Sequence, residues 1–277
     1  MNTTRSVQEA SRLLRDADAL IIAAGAGMSV DSGLPDFRGS HGLWTSMLPE
    51  GMNERDIGSL TQGDIFRRDP LAAWRFYSRA LQVCTQTVPH PGYQTLLRWA
   101  QDIRHGAFVY TSNVDGHFQR AGFAEERVVE CHGSINFMQC SRPCSPAIWS
   151  SSDLAASLGD ADRLTSAGLP RCGCCGSFSR PNFLMFSDSA WLGARTFAQQ
   201  LRQEVWRGQI RNPVVVEIGA GLAVPSVRMF AESLRMPLIR INPRDAEIGE
   251  GAGVAIRGSA LEILSRIDEA LVAQRKS

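Results

Sequence analysis

The run Ala19-Leu20-Ile21-Ile22-Ala23-Ala24, closing directly on Gly25-Ala26-Gly27, constrains this chain more than any other feature. Apolar residues without a polar interruption cannot alternate between a wet and a dry face, so both faces of the run must be covered. The run is far too short to span a bilayer. It is also shorter than an ordinary helix and ends in glycine, which leaves a buried strand of a parallel sheet. Phe108-Val109-Tyr110-Thr111, Arg127-Val128-Val129-Glu130, Val214-Val215-Val216-Glu217-Ile218 and Leu238-Ile239-Arg240-Ile241 are further short runs rich in β-branched residues. Most are set apart by helix-length segments. Val7, Ala10, Leu13 and Leu14 share a helical face before the first strand. Leu261, Leu264, Ile267 and Leu271 stripe a closing helix, with Ser259 and Glu262 at capping-box spacing. The simplest architecture is α/β: a doubly wound parallel, Rossmann-like sheet.

With 277 residues the chain can form one large domain carrying small insertions. Residues 1–43, 88–138 and 181–277 read as the nucleotide-binding part, 44–87 as a helical insertion, and 139–180 as a small module of clustered cysteines, prolines and serines with few strong strands. A formal net charge of +1 gives no global field toward nucleic acid or anionic lipid. No basic, aromatic-rich stretch suggests a nucleic-acid interface. The N-terminus lacks an apolar signal core, so the cytoplasm is the expected location and no membrane is expected.

Four motifs carry chemistry. Gly25-Ala26-Gly27-Met28-Ser29 follows a strand, where glycines let backbone approach a pyrophosphate. The third glycine of a full dinucleotide fingerprint is missing, since Val30 stands there, and a plain tight turn is the competing reading. The continuation through Asp31-Ser32-Gly33-Leu34-Pro35-Asp36-Phe37-Arg38-Gly39 reads as a structured ligand loop. A second turn, Gly219-Ala220-Gly221, follows the strand at Val214, and Asn242 ends the next strand where such folds place a ribose-reading residue. A turn asparagine is the alternative there. Asn113-Val114-Asp115-Gly116 and Glu130-Cys131-His132-Gly133-Ser134 sit at the ends of two more strands, with His132 a candidate base. Cys140-x3-Cys144 with Cys172-x2-Cys175 is the pattern of a closed, structural zinc site. Cys174 could replace a neighbour, while Cys84 and Cys131 read as small buried residues.

Taken in order, these motifs resemble the sirtuin family over nearly the whole chain. Gly25 through Ser29 with Pro35-Asp36-Phe37-Arg38-Gly39 looks like its first signature. Asn113-Val114-Asp115-Gly116 with Gln119-Arg120-Ala121-Gly122 looks like its second, and Glu130-Cys131-His132-Gly133-Ser134 resembles the segment bearing its catalytic histidine. Arg180-Pro181-Asn182 with Phe186 resembles the segment that pairs with substrate peptide. The cysteine pairs match the family's zinc module, and Gly219-Ala220-Gly221, Asn242 and Gly258-Ser259-Ala260 fall where it holds the adenosine half of NAD.

The resemblance implies a single catalytic domain over 1–277, an NAD-dependent protein lysine deacylase with NAD as co-substrate and zinc as structural metal. The acyl oxygen would displace nicotinamide at the ribose carbon, and His132 would take a proton from a ribose hydroxyl. Gly25, Ala26, Gly27, Ser29, Asp36, Phe37, Arg38, Asn113, Asp115, Gly219, Ala220, Gly221 and Asn242 would contact the cofactor, with Asn113 and Asp115 at the nicotinamide carboxamide and Asp115 accepting from its NH₂. Cys140, Cys144, Cys172 and Cys175 would bind the metal, and an acyl-lysine protein or peptide would be the partner. Three features depart from the family. Ser112 stands in place of a glutamine, Gly219-Ala220-Gly221 lacks the usual hydroxyls, and Ser187-Asp188 replaces a glycine-acid pair. Tyr77 followed by Ala80, with Arg79 one position early, differs from the tyrosine-arginine spacing of members preferring acidic acyl groups, which favours an uncharged acyl chain. The same fold admits ADP-ribosyl transfer or NAD hydrolysis as alternatives, and a zinc-ribbon module that only senses NAD or a partner is a non-enzymatic one.

Overall fold

The computed structural model describes residues 3–34, 48, 51–152, 154–249 and 253–275. Asp36, Phe37 and Arg38 lie outside the described residues. In chain order the strands are β1 (Ala19–Ala24), β2 (Ala107–Thr111), β3 (Val128–Glu130), β4 (Gly133–Cys140), β5 (Ile148–Ser150), β6 (Ser179–Phe183), β7 (Pro213–Ile218), β8 (Leu238–Ile241) and β9 (Gly253–Ile256).

Six of them form one sheet in the order β3-β2-β1-β7-β8-β9, parallel throughout. Every residue of β1 is buried, for the reason its composition gave. Leu20, Ile22 and Ala24 turn toward a core shared with the helices Thr3–Asp16, Pro91–Asp102 and Ala260–Arg275. Ala19, Ile21 and Ala23 turn the other way, onto Trp206, Val227 and Ala231 of the helices Ala194–Arg207 and Ser226–Ser233. Period-2 alternation therefore distributes one apolar run between two cores. The strand order reverses between β1 and β7, and such a switch point opens a crevice beyond the carboxyl ends of the strands.

β9 has no signal in the sequence. It is a short edge strand, Gly253-Val254-Ala255-Ile256, only half covered.

The cysteine segment is more regular than its composition suggests. β5, β4 and β6 form an antiparallel sheet that takes in residues on both sides of 139–180. Its strands were hard to see because they bury polar side chains, which cost free energy unless hydrogen-bonded. Here they bond each other: Asn182 donates to Gln139 Oε1 at 2.8 Å, and Gln139 donates to the Ala190 carbonyl at 2.7 Å. Arg180 and Asp188, both fully buried, pair at 2.5 Å, and Arg180 also donates to the carbonyls of Gly63 and Phe183. These bonds knit the small sheet to the helical insertion. That insertion is organised by the helix Pro70–Gln86, capped by Asp69, whose carboxylate accepts from Ala72 N–H. Trp74, Phe76, Tyr77 and Leu81 on this helix join Phe66, Ile135, Met138 and Phe183 in a second core.

Candidate functional site

At the switch point the two glycine turns touch backbone to backbone. A Cβ on Gly27 would lie 2.6 Å from Gly219 Cα, and one on Gly219 would lie 2.4 Å from Gly27 Cα, with Gly219 at φ +61°. No side chain fits at either position. The N–H groups of Gly25, Gly27 and Gly219 already donate to the carbonyls of Ile218, Gly219 and Ile241. What these glycines give a ligand is close approach. Above them opens a cleft of about 570 Å³, floored by Gly25–Gly27 and Gly219–Gly221 and reaching Asn242, Ser112, His132 and Tyr77.

Behind the β1 turn lies a buried polar network. Ser29 Oγ donates to Asp115 Oδ2 at 2.6 Å. A carboxylate can only accept, so the Ser29 proton is committed there, and the other two contacts must be donors to Ser29. These are Asn113 Nδ2 at 3.1 Å and Tyr93 Oη at 2.9 Å. The second carboxylate oxygen of Asp115 accepts from His117 N–H at 2.9 Å. Asn113 is held in turn by Thr111, whose hydroxyl accepts from Asn113 N–H and donates to the Ala24 carbonyl. Asn113 Oδ1 is buried with no partner. An orphaned acceptor beside a saturated network suits a ligand that brings an N–H, as a carboxamide does.

Tyr93 escaped the sequence reading because it sits inside a helix face that packs against the core. Burial holds its phenol well above the usual range, with Asp115 adding to the effect. Its proton is therefore fixed and serves as a permanent donor.

His132 follows β3 and precedes β4. Its carbonyl accepts from Leu184 N–H at 2.8 Å, which anchors the backbone. Gly133, at φ +75°, lets β4 pass β6 where a Cβ would lie 2.3 Å from the Asn182 carbonyl. His132 Nε2 meets Ser226 Oγ at 3.0 Å. Burial lowers its pKa from the ordinary 6.5, and a hydrogen bond to the Ser112 backbone opposes the shift. With Nε2 facing Ser226, the backbone bond falls to Nδ1. We assign Nδ1 the proton and Nε2 the lone pair on that basis. Ser226, absent from the sequence reading, gave no signal beyond a serine after proline.

Asn242 is a cleft residue and a turn residue at once. Its Oδ1 accepts from the N–H groups of Arg244 and Asp245, both at 2.9 Å, and its Nδ2 donates to the Ala220 carbonyl at 2.9 Å. One amide proton is left for a ligand. Tyr77 reaches the cleft, with its hydroxyl donating to the Leu60 carbonyl at 3.1 Å. Arg79 pairs instead with Asp162 at 2.5 Å, away from the cleft, and Ala80 is packed in the second core.

Cys140, at the end of β4, gathers with Cys144, Cys172 and Cys175 so that all four sulfurs lie within 4.8 Å of one another. Cys140 to Cys175 and Cys144 to Cys172 are each 3.6 Å. Tetrahedral zinc with bonds of about 2.3 Å needs sulfurs about 3.8 Å apart, so the quartet fits the metal. Cys174 is exposed and outside the group. The sulfur quartet takes in Cys172 and leaves Cys174 out. Cys84 is buried, and Cys131 is half-buried against Tyr110. Among the described residues no helix is long and apolar enough to cross a membrane.

Comparison with known proteins agrees with this geometry. Residues 25–226 match the model of the Sir2 family. NAD-dependent protein deacylase 2 of Pyrobaculum aerophilum is 31% identical over 265 residues, covering 93% of this chain and 92% of that protein. NAD-dependent protein deacylase 2 of Pseudomonas aeruginosa is 26% identical over 270 residues, covering 96% and 98%. Among solved structures, a Sir2 homologue mutant in complex with ADP-ribose superposes with a TM-score of 0.71 at 21% identity, covering 97% of each chain.

Proposed function

This chain belongs to the Sir2 family, and from that premise we propose that it is an NAD-dependent protein lysine deacylase that transfers the acyl group to ADP-ribose and releases nicotinamide. The observation that carries this reading is a neutral histidine base on the same cleft as the interlocked glycine turns. Relatives of matching length are NAD-dependent protein deacylases.

NAD supplies a ribose carbon activated by its nicotinamide leaving group. The remaining work falls to the chain. Gly25, Ala26 and Gly27 with Gly219, Ala220 and Gly221 bring backbone against the phosphates. Asn113 Oδ1, buried without a partner, accepts from the carboxamide, and Asp115 with Ser29 fixes the rotamer of Asn113. His132 Nε2 takes a proton from a ribose hydroxyl, a contact that Ser226 Oγ already imitates at 3.0 Å. As the family resemblance implies, Phe37 and Arg38 would cover the ribose and Asp36 would contact the cofactor. The Cys140, Cys144, Cys172 and Cys175 quartet holds structural zinc and takes no part in the chemistry.

The acyl-lysine would enter beside Tyr77, Val114, Phe183 and Met185. With Arg79 paired to Asp162 and Arg180 paired to Asp188, neither cation serves an acidic acyl group. An uncharged acyl chain follows. The domain reading is retained: one catalytic domain over 1–277, in which 44–87 and 139–180 are insertions. We propose the cytoplasm as its location, where thiolates remain available to zinc. The test is an assay with NAD and peptides bearing acetyl-, longer uncharged acyl- or succinyl-lysine. Free lysine and O-acyl-ADP-ribose should form from the uncharged peptides. Plain ADP-ribose with the peptides intact would point to NAD hydrolysis.

A further inference from the structure

Three buried charges, Glu217, Arg228 and Arg240, lie with the exposed Glu232 beneath the adenosine side of the cleft and are not used by the chemistry above. Glu217 in β7 faces Arg240 across the β7–β8 ladder. Both are fully buried, and Arg240 binds both carboxylate oxygens, at 2.7 and 2.8 Å. Arg240 also meets Glu232 at 2.7 Å and donates to the Glu247 carbonyl at 2.6 Å. On the other side Glu217 pairs with Arg228 at 3.7 Å. Arg228 Nη2 then donates to two carbonyls, Ala220 at 3.2 Å and Asp245 at 2.5 Å.

Two charges of each sign balance, so none is buried uncompensated. Apolar residues would fill the same space without the desolvation cost, and the rest of this sheet face is apolar. The two arginines share one geometric property. Arg228 and Arg240 end on carbonyls of the segment after β8, at Asp245 and Glu247, and Arg228 ends also on Ala220 of the Gly219–Gly221 turn. That turn and residues 242–245 are the two lips of the cleft around β7 and β8. Gly219-Ala220-Gly221 carries no side-chain donor, so it can act on a ligand only through backbone, and backbone acts only where it is held.

We propose that Arg228, held by Glu217, is a positioning residue for the cofactor: it clasps the Ala220 and Asp245 carbonyls and fixes the spacing of the two lips that receive the adenosine half of NAD. The proposal rests on the reading of this cleft as the NAD site. Arg228 does not line the cleft, so it acts on the ligand through the two backbone segments. All three contacts run through Nη2, which the rigid planar guanidinium holds in place and which the shorter-reaching, flexible lysine stem would hold less well. Lysine should therefore restore the clasp only in part.

The experiment compares the parent enzyme with Arg228→Met and Arg228→Lys. Steady-state kinetics are measured separately in NAD and in acyl-peptide, and ADP-ribose binding is measured by calorimetry. Arg228→Met should raise the KM for NAD and the Kd for ADP-ribose about tenfold, consistent with a lost charge-assisted hydrogen bond. At saturating NAD, kcat should stay within about twofold, and the KM for peptide should not move. Arg228→Lys should fall between the two. If Arg228→Met does not fold, Arg228→Lys alone decides by the same split. An unchanged KM for NAD in a folded variant overturns the proposal, as does a fall in kcat with KM intact. A parent enzyme that binds no ADP-ribose overturns the cleft reading itself, and the clasp with it.

Discussion

The two halves of the cleft are built by opposite means. Around β1 and β2 the site is made of buried side chains: Ser29, Asn113, Asp115 and Tyr93 saturate one another and leave a single acceptor, Asn113 Oδ1. Around β7 and β8 it is made of backbone: Gly219-Ala220-Gly221 presses against Gly27, and the side chains nearby, Asn242 and Arg228, end on main-chain groups. A side-chain site can recognise and activate one chemical group. A backbone site can accept a ligand closely but recognises it through shape. Substitutions in the first half should therefore change the reaction, and substitutions in the second should change affinity.

The strongest way to break that contrast is Gly219→Ala. The new Cβ would sit 2.4 Å from Gly27 backbone at a residue with φ +61°. The backbone strain alone costs about 1–3 kcal/mol, and the contact adds to it. NAD affinity should drop on the order of a hundredfold, read by calorimetry, with the zinc content unchanged. Wild-type affinity in this variant would mean that the turns can separate freely.

In the side-chain half, Asp115→Asn keeps shape but turns the charged acceptor of the 2.6 Å bond from Ser29 into a neutral one. A charge-assisted hydrogen bond contributes about 1.5–3 kcal/mol, so turnover should fall roughly tenfold to a hundredfold and nicotinamide inhibition should weaken. If both stay at parent values, Asp115 is only a turn residue. Tyr93→Phe is milder. It removes one neutral donor to Ser29 without opening a cavity, and about 0.5–1.5 kcal/mol corresponds to a loss of roughly threefold to tenfold in turnover. A change in NAD affinity with turnover intact would place Tyr93 on the wrong side of the comparison. The smallest effect belongs to Cys174→Ser, which should leave one zinc per chain and the same Tm, because Cys174 stands outside the sulfur quartet. Cys144→Ser should lose both, since structural zinc is part of folding. Metal analysis and thermal denaturation separate the pair.

The same contrast decided what could be read from the sequence. The parallel strands were legible because β1 and β7 are buried on both faces and are apolar at every position but Glu217. The glycine turns and the cysteine pairs were legible because each needs a particular residue type at a fixed spacing, and His132 stood out by its place at a strand end, where it reaches the cleft. β4 and β6 were obscured by Gln139, Arg180 and Asn182, polar residues whose partners lie far along the chain. Tyr93 and Ser226 were missed for a related reason. Each matters through one hydroxyl meeting another element, at 2.9 Å and 3.0 Å, and no local pattern announces such a meeting. Asn242 carried two readings, ribose contact and turn, and its hydrogen bonds show the turn while leaving one proton for the other.

The account depends most on His132 acting as a base after nicotinamide has left, and one variant tests this. The burial that lowers the pKa of His132 keeps it neutral at pH 7, so deacylation by the parent should rise with pH along a limb lying below about 6.5 and then level. His132→Ala should remain folded with zinc bound, and deacylation should fall about 10²–10⁴-fold, the usual contribution of a general base. Displacement of nicotinamide needs no base. The measurement is therefore exchange of labelled nicotinamide into NAD by His132→Ala in the presence of acyl-peptide, set beside its deacylation rate. The account predicts exchange retained while deacylation is lost. Deacylation at the parent rate, or exchange vanishing together with it in a protein that still binds NAD, would contradict it.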